Sequence, residues 1–185
     1  MTPTLWTIGH STRPIDELLA LLQAHRIARL VDVRTIPRSR HNPQFNTDVL
    51  KASVERAGRA YRHAPALGGL RKSRSDSINR GWKNLSFRGY ADYMQADEFG
   101  RALEELMADA AAVRTAVMCA ETVPWRCHRS LIADALTTKG WTVRHILSEA
   151  EAERHALTAF AKVEGGRLTY PPPAGPDEAA PRLFE

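Results

Sequence analysis

The chain has only two cysteines in 185 residues, 7% aromatic residues and no long apolar run. No segment approaches the roughly 18 to 20 apolar residues that a membrane span needs. The opening "MTPTLWTIGHST" lacks the basic start and apolar stretch of a secretory signal. A cytoplasmic protein without a membrane partner is expected. In a reducing compartment two cysteines argue against a structural disulfide, which leaves thiol chemistry, metal ligation or simple burial. Neither G-x-x-x-x-G-K-[ST] nor G-x-G-x-x-G occurs, so ATP hydrolysis on a P-loop and NAD chemistry lose support, and no cofactor is named by motif.

What is present suits one domain. With 43% hydrophobic residues, residues 1–170 can bury a single core, and residues 171–185, carrying five prolines, read as an extended tail. The net charge of +5 is uneven: residues 26–88 hold 15 Lys and Arg against 4 Asp and Glu. Such an excess suits nucleic acid, a nucleotide or another phosphate-bearing partner, and equally a solvated surface.

Periodicity alternates between two kinds of segment. "TLWTIGH", "IARLVDVR", "AYRHAP", "TAVMCA" and "WTVRHIL" read as strands, the last of them closing the sheet. Between them, Ile15, Leu18, Leu19 and Leu22 mark a helix with Ser11 or Thr12 as cap and Pro14 in its first turn. A second helix runs from Thr47 to Ala57 and stops at Gly58, a third covers 90–113, and a fourth opens at Cys127 and stops at Gly140. Residues 71–89, polar and basic, read as a mobile loop or lid. The pattern predicts a single three-layer Rossmann-like α/β domain with a mainly parallel sheet and helices on both faces. Ligands in such sheets bind beyond the carboxyl ends of the strands. "GHSTR", "DVRTIPRSR", "ALGG" and "CAETVPWRCHR" each follow a strand and should meet at that edge.

"MCAETVPWRCHR", residues 118–129, is the densest of these stretches. A helix opening at Cys127 offers backbone N–H groups to an anion, and Arg129, Arg34, Arg40 and Arg13 can fork onto it. The same setting lowers the pKa of Cys127 and makes it a candidate nucleophile. A phosphatase or rhodanese-type loop is disfavoured, because the sixth residue after each cysteine is Trp125 or Ala133 rather than arginine. Cys119, Cys127 and His128, with His10 as a fourth ligand, form an alternative metal set, although C-x7-C lacks the close cysteine pair of common structural zinc sites. Asp32 and Glu121 at strand ends can divide acid and base duties, with His10 or His128 assisting. Burial of Cys119 and ion pairs that merely hold the loops are the structural alternatives. Tyr90, Tyr93, Trp82 and Phe87 can stack on bases or anchor their loop.

"TIGHSTR", "LVDVRTIPRSR", "ALGG", "FRGYADYM" and "MCAETVPWRCHR", in this order between Leu5 and Leu147, resemble the prokaryotic family called domain of unknown function 488. The resemblance implies a compact α/β domain and supplies no reaction. Position by position it implies a site of Gly9, His10, Ser11 and Arg13 from the first loop, and Asp32, Arg34, Pro37, Arg38 and Arg40 from the second. Gly68, Gly69, Tyr90, Cys119, Glu121, Cys127, His128 and Arg129 complete it. Together the readings favour an enzyme acting on a phosphate-bearing substrate, a nucleotide or nucleic acid. The rivals are a nucleic-acid-binding module without catalysis and a metal-binding or redox-sensing domain on Cys119 and Cys127.

Overall fold

The structure, a computed structural model, describes residues 2–173. Of the proline-rich tail only Pro171–Pro173 fall within that range, and the rest lies outside the described residues. A six-stranded sheet of order β3-β2-β4-β1-β5-β6 forms the centre. It contains β1 (Thr4–Gly9), β2 (Arg29–Asp32), β3 (Ala60–His63), β4 (Thr115–Cys119), β5 (Thr142–Ile146) and β6 (Glu153–Arg154). The first five are parallel, and β6 pairs antiparallel at one edge. The inner strands β1 and β4 are buried almost throughout, as continuous apolar strands covered on both faces should be.

Strand alternation sends successive side chains to opposite layers. In β4, Val117 and Cys119 face one core with Val31, Leu131 and Leu136, while Ala116 and Met118 face another with Leu18, Leu22 and Leu50. The first core lies under α3 (Leu85–Tyr93), α4 (Asp97–Ala112) and α5 (Arg129–Thr138); the second lies under α1 (Ile15–Ala24) and α2 (Thr47–Arg56). The three-layer α/β expectation therefore holds. Because β1 leads to α1 on one face and its neighbour β4 leads to α5 on the other, a crevice opens between their carboxyl ends.

Four local expectations need correction. The helix over 90–113 is two helices, since the chain turns at Met94–Ala96 before Asp97 and Glu98 restart it with acidic residues in the first turn. The expected lid at 71–89 ends at Asn84, whose side chain caps α3 by accepting from Ser86 N–H and Phe87 N–H. Its preceding stretch is pinned by Asp92, which accepts from the Arg74 amide, the Ser77 hydroxyl and the Asn79 amide group. Neither Ser11 nor Thr12 caps α1. Pro14 occupies that position and Ser11 takes a left-handed turn at φ 49°. Finally, β5 is followed by β6 and by a hairpin of β7 (Lys162–Glu164) and β8 (Arg167–Thr169). The hairpin turns on Gly165 and Gly166, both at positive φ, as a tight two-residue turn requires.

Candidate functional site

The loops after β1, β2, β3 and β4 gather at the carboxyl edge of the sheet. Register places Gly9 beside Cys119 and Asp32 beside Met118. Two chambers open there, each of about 380 Å³. The first is largely apolar, walled by Ile36, Leu70 and Phe87, with Cys119, Cys127 and His128 along one side and Arg126 and Ser86 at its border. The second is polar, walled by Ser11, Thr12, Arg38, Ser39, Asn42 and Thr122. Arg34, Ile36, Ala120 and Glu121 border both.

The cysteine stretch builds the first chamber through a turn rather than a helix end. After Pro124–Arg126 form a short 3-10 turn, Cys127 is extended (φ −136°, ψ 147°) and its N–H donates to the Pro124 carbonyl. His128 becomes the cap of α5, and the Ser130 and Leu131 amides donate to the carbonyls of Cys127 and His128. Of the N–H groups expected to seat an anion, from Cys127 to Arg129, the structure spends that of Cys127 on the Pro124 carbonyl. What the turn does instead is bring Cys127 against Cys119. The donor atoms of Cys119, Cys127 and His128 lie within 4.8 Å of one another. His128 Nδ1 is 3.7 Å from Cys127 Sγ and 4.0 Å from Cys119 Sγ. Both cysteines are free thiols and buried. Hydrogen bonding between them splits their acidities: the Cys119 thiol donates and holds Cys127 well below the usual thiol range against the opposing effect of burial, helped by His128 and Arg129. Cys119, as the donor and buried, is pushed well above that range.

Three arginines expected at an anion are committed to the scaffold. Arg129 is 1% exposed. Its Nη2 donates to the carbonyls of Glu121 and Thr122, its Nη1 to the Thr7 hydroxyl, and its Nε to Cys127 Sγ at 3.4 Å. Arg34 grips Asp32 through Nε and Nη2 at 2.9 and 2.5 Å and also donates to the Phe45 carbonyl. Arg13 donates to the carbonyls of Gly9 and Leu147 and pairs with Glu17. Arg38 and Arg126 are different. Both are exposed, line the chambers, and have no side-chain partner among the described residues. Arg40 is exposed but lines neither chamber.

The two carboxylates separate in the same way. Asp32 is fully buried and accepts from the Arg34 amide, the Arg34 guanidinium and the Tyr61 hydroxyl. Burial and this carboxylate together push the Tyr61 phenol up. Glu121 is exposed on the border of both chambers. His10 borders the polar chamber but is held in place: it stacks on Phe45 with ring centroids 4.1 Å apart, and its pKa is lowered to about 4, chiefly by burial. The neutral ring then donates from Nδ1 to the Ser11 carbonyl and accepts at Nε2 from Arg34, at 2.8 and 3.1 Å.

The remaining expected residues shape these walls. A side chain on Gly9 would strike the Glu121 carbonyl and lie 2.9 Å from the Arg129 guanidinium; one on Gly69 would come within 2.6 Å of His128 Nδ1. Gly68 packs in the same manner on Thr35. Tyr90 is buried, donates to the Leu67 carbonyl and rests 5.0 Å from the His128 ring. The buried Pro37 offers its carbonyl to the Thr47 amide and hydroxyl. Trp82 packs on Phe87, Phe160 and Tyr170, so it anchors the loop, whereas Phe87 also walls the apolar chamber.

Sequence reading missed Ile36 and Leu70 as walls, since apolar residues in loops carry no chemical signal of their own, and it missed Thr35 beside them; Phe87, named there as a stacking or anchoring residue, does wall the apolar chamber. It also missed a buried polar chain: Asp134 accepts from His155 and from the hydroxyls of Thr158 and Tyr170, His155 meets His145 at 3.0 Å, and His145 meets Thr7 at 2.7 Å. An aspartate inside the apolar stretch "LIADAL" was its one visible trace.

No helix among the described residues is long and apolar enough to cross a membrane. No curated protein and no solved structure matches the chain. A family model does match, over residues 14–136, which takes in the loops after β2, β3 and β4 and leaves Gly9, His10, Ser11 and Arg13 outside the matched stretch. The chain belongs to the family described as Domain of unknown function DUF488.

Proposed function

We propose that this protein is an enzyme acting on a small phosphate-bearing substrate of nucleotide type, held across the two chambers. The division of the cleft carries this reading. An apolar chamber bounded by Ile36, Leu70 and Phe87 suits a flat ring, and a polar chamber with Arg38 suits a charged group. The volume of each chamber lies within the range of small-molecule sites. Arg38 and Arg126, unpaired among the described residues, supply the cationic contacts to phosphate. Glu121, bordering both chambers, is the acid or base; the buried, four-times-bonded Asp32 orients Arg34 and holds the β2 loop.

The test is incubation of the purified chain with a panel of nucleoside monophosphates and diphosphates, followed by mass spectrometry of the products. The reading predicts conversion of at least one member by wild type and its loss in Glu121→Gln. Conversion that survives Glu121→Gln removes that residue from the chemistry. No conversion across the panel, together with salt-sensitive binding of single-stranded nucleic acid, supports the binding-module alternative.

A further inference from the structure

The side wall of the apolar chamber carries an arrangement that substrate binding does not explain. Cys119 arrives on the end of β4, and Cys127 and His128 arrive from the turn before α5, so two elements bring two sulfurs and one imidazole nitrogen to one point. The Nδ1 atom of His128 faces both sulfurs, at 3.7 and 4.0 Å. These separations are near the edges of a tetrahedron built on zinc, about 3.5 Å for sulfur to nitrogen, given metal bonds of about 2.3 Å to sulfur and about 2.0 Å to nitrogen.

We propose that Cys119, Cys127 and His128 bind a thiophilic divalent cation, zinc in the first instance, with its fourth position facing the apolar chamber. Three observations support it. Soft thiolate and imidazole donors select zinc or a similar ion over magnesium or calcium. Arg129 donates Nε–H to Cys127 Sγ from beneath, a contact that offsets thiolate charge and fixes the sulfur in place. Gly69, where a side chain would collide with His128 Nδ1, keeps that nitrogen clear to face the sulfurs. Three protein ligands with an open position belong to reactive rather than structural zinc sites. Glu121 lines the same chamber but is not among the clustered donor atoms. Metal binding follows from the donor set alone and goes beyond the two-chamber reading.

The full chain, stripped with chelator under reducing conditions, is titrated with Zn2+ and, separately, with Co2+. One equivalent per chain is expected, with a thiolate-to-cobalt charge-transfer band. Cys127→Ser and His128→Asn should each weaken binding at least tenfold, and Glu121→Gln should leave it unchanged. Substoichiometric uptake by folded wild type, or affinity unaltered in Cys127→Ser, overturns the proposal. If the variants do not fold, alkylation of wild type decides: Zn2+ should slow iodoacetamide modification of both cysteines at least tenfold, and equal rates with and without Zn2+ overturn it. Nucleotide binding by the stripped chain is measured in parallel. Its loss with metal uptake intact counts against the two-chamber reading alone, and the converse counts against the metal alone.

Discussion

The Arg129 guanidinium donates its Nε–H to Cys127 Sγ at 3.4 Å while its Nη2 holds both the Glu121 and the Thr122 carbonyls. One buried side chain therefore fixes the sulfur and the loop that presents Glu121. Because the buried Cys127 sulfur and the part-buried Glu121 and Thr122 carbonyls would lose their shared donor, Arg129→Met should cost about 3 kcal/mol. Arg126→Ala, at an exposed position, should change stability by less than about 0.5 kcal/mol. Urea denaturation of the two variants checks the contrast, and Arg126→Ala should weaken nucleotide binding.

Asp32 and Glu121 give a second contrast. Asp32→Asn removes the charge that pairs with buried Arg34, so a loss of about 3 kcal/mol is expected in denaturant midpoints. Glu121→Gln should stay within about 0.5 kcal/mol of wild type while abolishing turnover. A stability loss of equal size in both would contradict the assignment of one carboxylate to scaffold and the other to chemistry.

Stability should fall on mild acidification. His145 is buried, and its burial first, then His155 and Arg129, lower its pKa from 6.5 to about 4; His10 is lowered to the same value, chiefly by burial. Between those pH values the unfolded chain binds protons that the folded chain refuses. The stabilisation is complete above pH 6.5 and declines as pH falls toward 4, by up to about 3 kcal/mol for each histidine. Denaturation midpoints measured from pH 7 to pH 4 check this, and His145→Gln should flatten the slope.

Gly69→Ala tests the packing of the cluster. The added methyl carbon would sit 2.6 Å from His128 Nδ1, so the imidazole must turn away from the sulfurs. Stability should drop by about 1 to 3 kcal/mol, and the cobalt charge-transfer intensity should fall further than that loss explains.

The framework was legible because it rests on periodicity: the alternation of apolar strands with helical stretches predicts the sheet, and the loops after four strands do meet. The clustering of Cys119, Glu121, Cys127 and His128 was legible for the same reason. Individual roles were not. Arg34, Arg129 and Asp32 carry the charges of ligand-binding residues, and only three-dimensional packing shows that each is spent on internal partners. Ile36 and Leu70 gain their meaning only from the chamber they enclose. The break at Met94–Ala96 was hidden because the flanking sequence keeps good helix formers, and the short strands β7 and β8, with exposed β7 residues around Gly165–Gly166, carry too little apolar alternation to be read as a hairpin.

The central claim is that the two chambers hold one phosphate-bearing molecule with a ring. Calorimetric titration with a nucleoside monophosphate, the corresponding nucleoside and inorganic phosphate tests it most directly. The account predicts that the nucleotide binds at least tenfold more tightly than either fragment, and that Arg38→Ala removes most of the difference. Equal affinity for nucleotide and nucleoside, or binding indifferent to Arg38→Ala, would contradict it.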